Sequence, residues 1–411
     1  MNKIFNSIPL PTRAPDGEYD CGRGSYMLLW SDSSPDEFER LCGDITASGF
    51  RLFDRTDIEG SIHCTFAGKP VLHAWYCPCE RALRLTADPY TALYNTAPER
   101  CERKYSNTLW QFEVDHSLID CGMCYIVRCC DGSFFVIDSA HMYSVNDDIR
   151  IIEFLRKLNG GEKPTVAGWF FSHGHEDHVA KFSDIVEFHS GEVDIETVYY
   201  NFPSYGHPDN EEWGECGKQV MHRFERKLDE HPEIKKVRLH TGQRFFVRDL
   251  EFSVLCTHED IYPNPLSNFN DSSTAIMMTA GGCKVLFPGD CAAESDKVFL
   301  RRYHDALKCS VVQVSHHGHS GTSSEFYRRA GAECVLFPIT EIKFAEEWDK
   351  QEPNRVAVDI AKEYHIASNG TVEIPLPYSF GSTKRLPDET FEDFDGIFAL
   401  WCYEYTDEYK E

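Results

Sequence analysis

The sequence has no apolar run long enough to cross a membrane. A bilayer-spanning helix needs about 18 or more consecutive apolar residues, and the apolar stretches here are shorter and interrupted by charges. The N-terminal stretch 1–15 holds one short apolar segment broken by Pro9 and Pro11, which is not typical of a secretory signal. We therefore expect a cytoplasmic protein without a membrane partner.

Basic residues are few. Lys and Arg total 41 against 67 Asp and Glu, so the 411-residue chain carries a formal net charge of −26. Such a surface repels nucleic-acid phosphates and anionic lipid, and the nearest approach to a basic block, Lys235-Lys236-Val237-Arg238, is short. The balance argues against extended nucleic-acid binding and favours a small-molecule substrate.

A disulfide framework is also missing, because the 17 cysteines are odd in number and irregularly spaced. In a chain without a signal we expect most of them to be reduced and buried. The pairs Cys77-x-Cys79 and Cys121-x-x-Cys124 hold enough thiolates for one structural zinc ion. The first spacing is short and both pairs lack the usual glycines, so we favour the alternative that Cys121 and Cys124 line a buried hairpin.

The patterns divide the chain into three parts. The pattern of residues 1–107 predicts a small α+β domain and a linker. It begins with an irregular lead-in over 1–20, and its helix starts at the capping box of Ser34 and Glu37. Its strand edges would allow a homodimer. Residues 108–385 form the larger domain. Residues 386–411 are an acidic, aromatic tail that we expect to pack as an edge or remain solvated.

In the larger part, strand hairpins alternate with helices, which favours two sheets covered by helices. The stretch 201–235 is interpreted as mainly loop. The predicted helices are Asp147–Leu158, Val179–His189, Ser295–Leu307, Ser324–Ala330 and Asn354–Tyr364.

The densest group of chemical side chains follows the apolar strand 165–171. His173, His175 and His178, with Asp177 beside them, lie within six residues where this strand gives way to a helix. Histidine is the commonest ligand of zinc-like ions, and a neighbouring carboxylate can hold a second ion. The spacing therefore predicts a metal-binding loop.

Two later strands end in residues of the same kind. Asp290 follows Gly289 after one strand, and His316-His317 follow another. Each pattern alone is weak, since a Gly-Asp pair is commonly a turn and a His pair is commonly exposed. Because such proteins collect functional groups where strands finish, we expect both to meet the first cluster.

Together these motifs resemble the metallo-β-lactamase superfamily over roughly residues 110–375, on the motif H-x-H-x-D-H. The resemblance implies an α/β (α+β) fold, a four-layer αββα sandwich preceded by the small α+β domain. It implies two divalent metal ions, with zinc favoured and manganese or iron as alternatives. The implied ligands are His173 and His175 for one ion, Asp177 and His178 for the other, and Asp290 between them, with Asp138 bracing the loop.

Two ligand positions remain open. His258, in Cys256-Thr257-His258-Glu259, is favoured as the third ligand of the first ion, although the family's glycine is missing there; Asn270 or Asp271 are the alternatives. The sequence does not decide between His316 and His317 as the final ligand. We take His317 as the ligand and His316 as a catalytic group. The strand followed by H-H-G most resembles the branch of DNA-uptake competence proteins and phosphorylcholine esterases.

The resemblance implies a metal-dependent hydrolase that uses a metal-bridged hydroxide, on a phosphodiester or related small ester. Asp177 would orient the hydroxide, and His316, Tyr205 or His207 would protonate the leaving group. One alternative is a nuclease that acts on nucleic-acid ends. Another is a non-catalytic binding protein stabilised by its metal.

Overall fold

The computed structural model describes residues 2–206, 214–266 and 268–387, with backbone alone for 214–217. A six-stranded antiparallel sheet comes first, in the order β1-β2-β6-β5-β4-β3, with one helix on it. Its elements are β1 (Gly17–Gly22), β2 (Ser25–Trp30), α1 (Pro35–Ala47), β3 (Arg51–Ile58), β4 (Ser61–Ala67), β5 (Val71–Cys77) and β6 (Ala82–Asp88).

Helix α1 starts at the predicted capping box. Ser34 Oγ accepts a hydrogen bond from the backbone N of Glu37, and the Glu37 carboxylate accepts one from the backbone N of Ser34. Both bonds satisfy amides that the first helical turn leaves without partners.

The two faces of this sheet differ because side chains alternate along each strand. One face is apolar, with Leu72 and Leu85 packed beneath α1. The other face carries buried polar side chains, among them His63, His73 and Asp88. That polar face is covered by the rest of the chain, which the bond from Thr56 Oγ1 on β3 to the carbonyl of Gly242 illustrates.

Two further sheets follow. The strands in chain order are β7 (Thr108–Gln111), β8 (Tyr125–Arg128), β9 (Phe134–Ile137), β10 (Thr165–Phe170), β11 (Asp194–Ile195), β12 (Thr197–Tyr200), β13 (Lys235–Arg238), β14 (Arg244–Val247), β15 (Leu250–Cys256), β16 (Ala275–Ala280), β17 (Cys283–Phe287), β18 (Val311–Gln313), β19 (Cys334–Phe337), β20 (Glu363–Ile366), β21 (Val372–Pro375) and β22 (Lys384–Arg385). One sheet runs β13-β12-β10-β9-β8-β7-β21-β22, with β11 beside β10, and the other runs β14 to β20 in chain order.

Helices lie outside both sheets. They are α2 (Asp147–Leu158), α3 (Glu176–Phe188), α4 (Gly214–Glu230), α5 (Ala293–Arg302), α6 (Ser324–Ala330), α7 (Glu341–Trp348) and α8 (Glu352–Ile360). Phe135 and Phe252 meet between the sheets, with ring centroids 4.3 Å apart. Trp169 packs on Phe182 of α3 at 5.1 Å on the outer side. The predicted four-layer αββα sandwich is confirmed.

Several predicted elements were wrong. The lead-in contains strand β1, and the stretch 201–235 contains helix α4, whose apolar residues Met221, Phe224 and Leu228 recur at helical spacing and are fully buried. The helix predicted to end at Tyr364 ends at Ile360 instead, because parallel pairing with β19 takes Tyr364 into β20. The tail from residue 388 lies outside the described residues. No helix in the described ranges combines the length and apolarity needed to cross a bilayer.

Candidate metal centre

The H-x-H-x-D-H loop joins β10 to α3. His175 occupies the N-cap position of α3, and Asp177 and His178 fall in its first turn. Gly174 makes this path possible, since a Cβ there would lie 2.0 Å from Cγ of Met221 on α4. The loop therefore passes closer to α4 than any residue with a side chain permits.

Four buried ligand atoms converge at the end of this loop. One ligand atom each from Asp177, His178, Asp290 and His317 lies within 4.8 Å of the others. His317 Nε2 is 2.8 Å from Asp177 Oδ2 and 3.2 Å from Asp290 Oδ2. His178 Nε2 lies 3.3 Å from Asp290 Oδ2 and 3.3 Å from His317 Nε2.

In His178 and His317, the Nδ1 atom points away from the cluster and is hydrogen-bonded to another group. His178 Nδ1 is 2.7 Å from Asp138 Oδ2, and His317 Nδ1 is 2.7 Å from the carbonyl oxygen of Pro338. Because these oxygens accept, each Nδ1 donates a hydrogen, so each ring in its neutral form presents the Nε2 lone pair to the cluster. This arrangement is typical of metal-ligating histidines.

Asp138 ties the metal loop to strand β9. Its Oδ1 accepts from the backbone N of Ser172 and its Oδ2 from the Ser172 hydroxyl, both at 2.8 Å. Asp138 has a φ of 56°, a left-handed conformation that is uncommon for residues other than glycine. Strain of this kind persists where surrounding contacts over-determine the backbone, as they do here.

The electrostatics of the cluster are dominated by its two carboxylates. Burial would raise the pKa of Asp177 and Asp290, but the adjacent His178 and His317 hold both well below the usual range. Burial would lower the pKa of His317, yet Asp290 and Asp177 raise it to about 10. Both acids are therefore ionised, and a metal ion would replace the Nε2 protons of His178 and His317 as the positive charge that they face.

The residues present fit a divalent metal ion. Asp290 Oδ1 is buried without a hydrogen-bond partner among the described residues, and two imidazole lone pairs face two carboxylates at close range. A set of two imidazoles and two carboxylates suits zinc-like ions. Asp177, His178, Asp290 and His317 would hold such an ion.

A second pair of nitrogens lies beside this cluster. His173 Nε2 and His175 Nδ1 are 3.0 Å apart. Asn270 Oδ1 is 3.2 Å from the same His173 nitrogen, and Asn270 Nδ2 is 3.1 Å from His316 Nε2. Of the two alternatives to His258 as third ligand of the first ion, Asn270 therefore lies beside the predicted ligand His173. Asp271 Oδ1 instead accepts from Ser295 at the start of α5.

The backbone at His316 and His317 directs their two side chains to different places. Both residues are left-handed, with φ of 50° and 53°, so the side chains diverge. His317 joins the four-ligand cluster, whereas His316 is held by Asn270.

His258 lies fully buried in the short helical turn His258–Asp260, with its ring centroid 6.2 Å from that of Tyr262. Its role as a ligand stays a prediction.

Two further residues lie near the cluster: His141, which the sequence analysis missed, and Cys121, which it considered only for a structural zinc site. Burial, followed by the charges of Asp177 and Asp290, raises the pKa of the Cys121 thiol. Burial lowers the pKa of His141 to about 4, against an opposing effect of Asp177. His141 belongs to no motif, and the folding of the β7–β8 and β9–α2 connections brings Cys121 and His141 here.

The remaining predicted groups lie elsewhere. Tyr205 Oη donates to Glu225 on α4 at 2.5 Å, and His207 lies outside the described residues. Cys77 and Cys79 have their Sγ atoms 3.3 Å apart. No group of converging metal ligands in the described parts of the chain contains the two predicted cysteine pairs, while Cys124 is buried and Cys121 partly so.

Comparison with known proteins finds distant structural similarity alone. No family model and no curated protein matches the chain. The metallo-β-lactamase fold protein YhfI from Bacillus subtilis is 11% identical, with a TM-score of 0.39, over 64% of this chain and 96% of its own. A diphosphatase of the PhnP family is 14% identical, with a TM-score of 0.33, over 56% and 86%. A variant of the CmlA β-hydroxylase is 14% identical, with a TM-score of 0.33, over 66% and 47%.

These identities assign no substrate. Two facing sheets with helices outside them carry a His/Asp cluster at the ends of β10, β17 and β18. The layered sandwich and the position of this cluster agree with the arrangement that the sequence motifs predict.

Proposed function

We propose that this chain is a binuclear metal-dependent hydrolase that uses zinc and acts on a phosphodiester or related small ester. The observation that carries the proposal is the convergence of Asp177, His178, Asp290 and His317, with both histidines presenting Nε2. The adjacent His173 and His175 would hold the second ion. Two divalent ions, when bound, lower the pKa of water and stabilise negative charge on a substrate oxygen.

The side chains of the cluster would orient and exchange protons. Asp177 is ionised and 2.8 Å from His317, so it is placed to accept a proton from the attacking water. Burial lowers the pKa of His316, which favours its neutral ring. Because Asn270 donates to its Nε2, the ring proton sits on Nδ1. His316 would point that hydrogen at the oxygen of the leaving group and would transfer it after the ring takes up a second proton, so that a neutral imidazole remains.

The charge of the chain supports a small substrate. A net charge of −26 repels a polyanion over any extended surface, whereas one phosphodiester needs local positive charge alone, which bound ions supply. A nuclease that acts on the ends of nucleic acids would use the same cluster. The experiment below therefore compares small phosphodiesters with short oligonucleotides.

The test combines metal analysis with turnover of bis(p-nitrophenyl) phosphate by the full chain. We expect about two metal ions per chain, and loss of turnover in Asp290→Ala and His175→Ala. His319→Gln is a matched control, because His319 lies on the same loop as His317 but outside the four-ligand cluster. It should keep both metal and turnover.

Other outcomes separate the parts of the proposal. Two ions without turnover would retain the metal centre and reject the phosphodiester, so the search would move to thioesters, lactones and amides. Faster turnover of short oligonucleotides than of small phosphodiesters would favour the nuclease. No bound metal after growth with zinc and manganese would reject the hydrolase.

A further inference from the structure

A second group of buried ligand atoms lies where the first sheet packs against the sandwich. His73 and Asp88 come from β5 and β6, and His240 comes from the connection after β13. One ligand atom from each lies within 4.8 Å of the others, and all three residues are buried. The rings of His73 and His240 have centroids 4.0 Å apart, and His240 Nε2 is 3.3 Å from Asp88 Oδ2.

The proton on His240 is placed by Glu259. His240 Nδ1 lies 2.8 Å from Glu259 Oε1 and 3.1 Å from Oε2. A carboxylate accepts hydrogen bonds, so Nδ1 carries the hydrogen and the neutral ring has its lone pair on Nε2. That lone pair faces the carboxylate of Asp88. The contact is repulsive unless a cation or a second proton lies between the two atoms.

The proton on His73 is placed by a chain of hydroxyl groups. Tyr94 Oη donates to Asp54 Oδ2 at 3.1 Å. The Thr65 hydroxyl, 2.8 Å from Tyr94 Oη, must then donate to it. Thr65 Oγ1 is thereby free to accept from His73 Nδ1 at 3.3 Å, whereas Gln243 Nε2, which can only donate, approaches the same nitrogen at 3.3 Å and favours the other tautomer.

In the tautomer that donates to Thr65, His73 Nε2 carries a lone pair as well. It is buried and has no hydrogen-bond partner among the described residues. Two imidazole lone pairs and one carboxylate oxygen thus converge in an enclosed space. Each histidine donates its other ring hydrogen to a fixed acceptor, as ligating histidines do.

Arg238 interacts with Asp88 through charge but directs its hydrogen bonds to other groups. Arg238 is buried, and its guanidinium donates to the backbone carbonyls of Cys21, Gly22 and Phe202 and to the side chain of Asn201. Burial would lower the pKa of His240, but Glu259 and Asp88 raise it to about 9, so without a metal a second ring proton on Nε2 pairs with Asp88. A divalent ion at the same position would replace that proton and pair with the buried carboxylate.

We propose that His73, Asp88 and His240 bind a divalent ion of the zinc class, which joins the first sheet to the sandwich. The two imidazoles and one carboxylate are a recognised zinc ligand set. Because its ligands come from both parts of the chain, the bound ion would stabilise their packing. This site is separate from the Asp177/His178/Asp290/His317 cluster and does not depend on the proposed hydrolysis.

The first experiment counts zinc in variants of the full chain grown with zinc and dialysed against a weak chelator. We expect His73→Gln and Asp88→Asn each to hold one zinc ion fewer per chain than the wild type. His63→Gln is the matched control, because His63 is a buried histidine of the same sheet face, 5.5 Å from His73 between ring centroids, but outside the ligand group. Its zinc count should not change. A folded His73→Gln with the wild-type zinc count would overturn the proposal.

A second measurement avoids variants that fail to fold. Anomalous scattering at the zinc edge, from crystals of the wild-type chain, should give a peak between His73, Asp88 and His240. No peak there would overturn the inference and would leave a protonated His240 as the cation facing Asp88. A peak between His178 and His317 alone would reject this site and keep the proposed catalytic centre, and the reverse result would reject the catalytic centre alone.

Discussion

Arg84 Nη1 on the first sheet lies 2.5 Å from Asp260 Oδ1 on the sandwich, and both side chains are buried. Arg302 Nη1 approaches the same oxygen at 2.6 Å. The guanidinium carbons of Arg84 and Arg302 lie over the ring of Trp75, 4.1 and 4.6 Å from its centroid. One carboxylate therefore joins arginines from both parts of the chain.

Removing the charge of Asp260 should loosen this junction. Asp260→Asn leaves Glu80 as the counter-ion of both buried arginines, and we expect a loss of about 3 kcal/mol in the free energy of unfolding, the lower end for breaking a buried pair. Urea denaturation followed by circular dichroism measures it. The control is Asp305→Asn, since Asp305 is exposed and pairs with Lys308 alone. A loss for Asp260→Asn no larger than that of the control would contradict the assigned role.

Because of Glu80, the stability of the packing between the first sheet and the sandwich should depend on pH. Burial would raise the pKa of Glu80, but Arg302, Arg84 and Arg301 lower it below the usual value. A carboxyl with a depressed pKa in the folded state stabilises above its unfolded pKa of about 4.3, and this stabilisation is lost as the pH falls through the folded pKa.

The Glu80→Gln variant tests this sign. It should be less stable than the wild type at pH 7, and the difference should shrink as the pH is lowered below about 4. Unfolding free energies of both proteins from pH 7 to pH 3 provide the comparison. A difference that stays constant with pH would show that Glu80 acts through packing or neutral hydrogen bonds.

The predictions that succeeded rest on local patterns. The capping box at Ser34 needs only residues three positions apart, and the H-x-H-x-D-H loop brings the rings of His173 and His178 to 4.2 Å between centroids. Strand ends placed Asp290 and His317 at the same edge because sheet topology constrains where strands finish. The αββα sandwich followed from the same alternation of strands and helices.

The predictions that failed, and the features missed, depend on packing between distant segments. Tyr364 lies in a strand because β19 pairs with it, which overrides the local helical pattern. The approach of His240 to His73 joins the connection after β13 to a strand more than 160 residues earlier. Neither stretch carries a motif, so the sequence contains no signal that would bring them together.

Asp138 should control the affinity of the cluster for metal. Asp138→Asn keeps the shape but replaces one carboxylate oxygen with an amide, which disturbs the bond from His178 Nδ1 and the orientation of that ring. We expect metal affinity to fall about 10- to 100-fold, as it does for such outer contacts. Competition with a chelator gives the dissociation constants. An unchanged constant would show that His178 is oriented by other contacts.

Gly174 should tolerate a side chain only if Met221 is shortened. In Gly174→Ala the new Cβ would lie 2.0 Å from Met221 Cγ, and we expect a destabilisation of about 1–3 kcal/mol from overpacking. The double variant with Met221→Ala removes the clash, so it should be more stable than the sum of the two single losses implies. Strictly additive losses would mean that the loop moves away from α4 at no cost.

The two adjacent histidines should separate metal binding from turnover. His317→Asn removes a ligand of the cluster, so both metal content and activity should fall. His316→Asn should keep the metal and lower kcat by about 100-fold or more, the usual contribution of a proton donor. Because a p-nitrophenolate leaves with little need for a proton, the loss should be smaller on bis(p-nitrophenyl) phosphate than on an alkyl phosphodiester. Equal losses on both substrates would show that His316 acts on binding or positioning, and loss of metal from His316→Asn would make it a ligand.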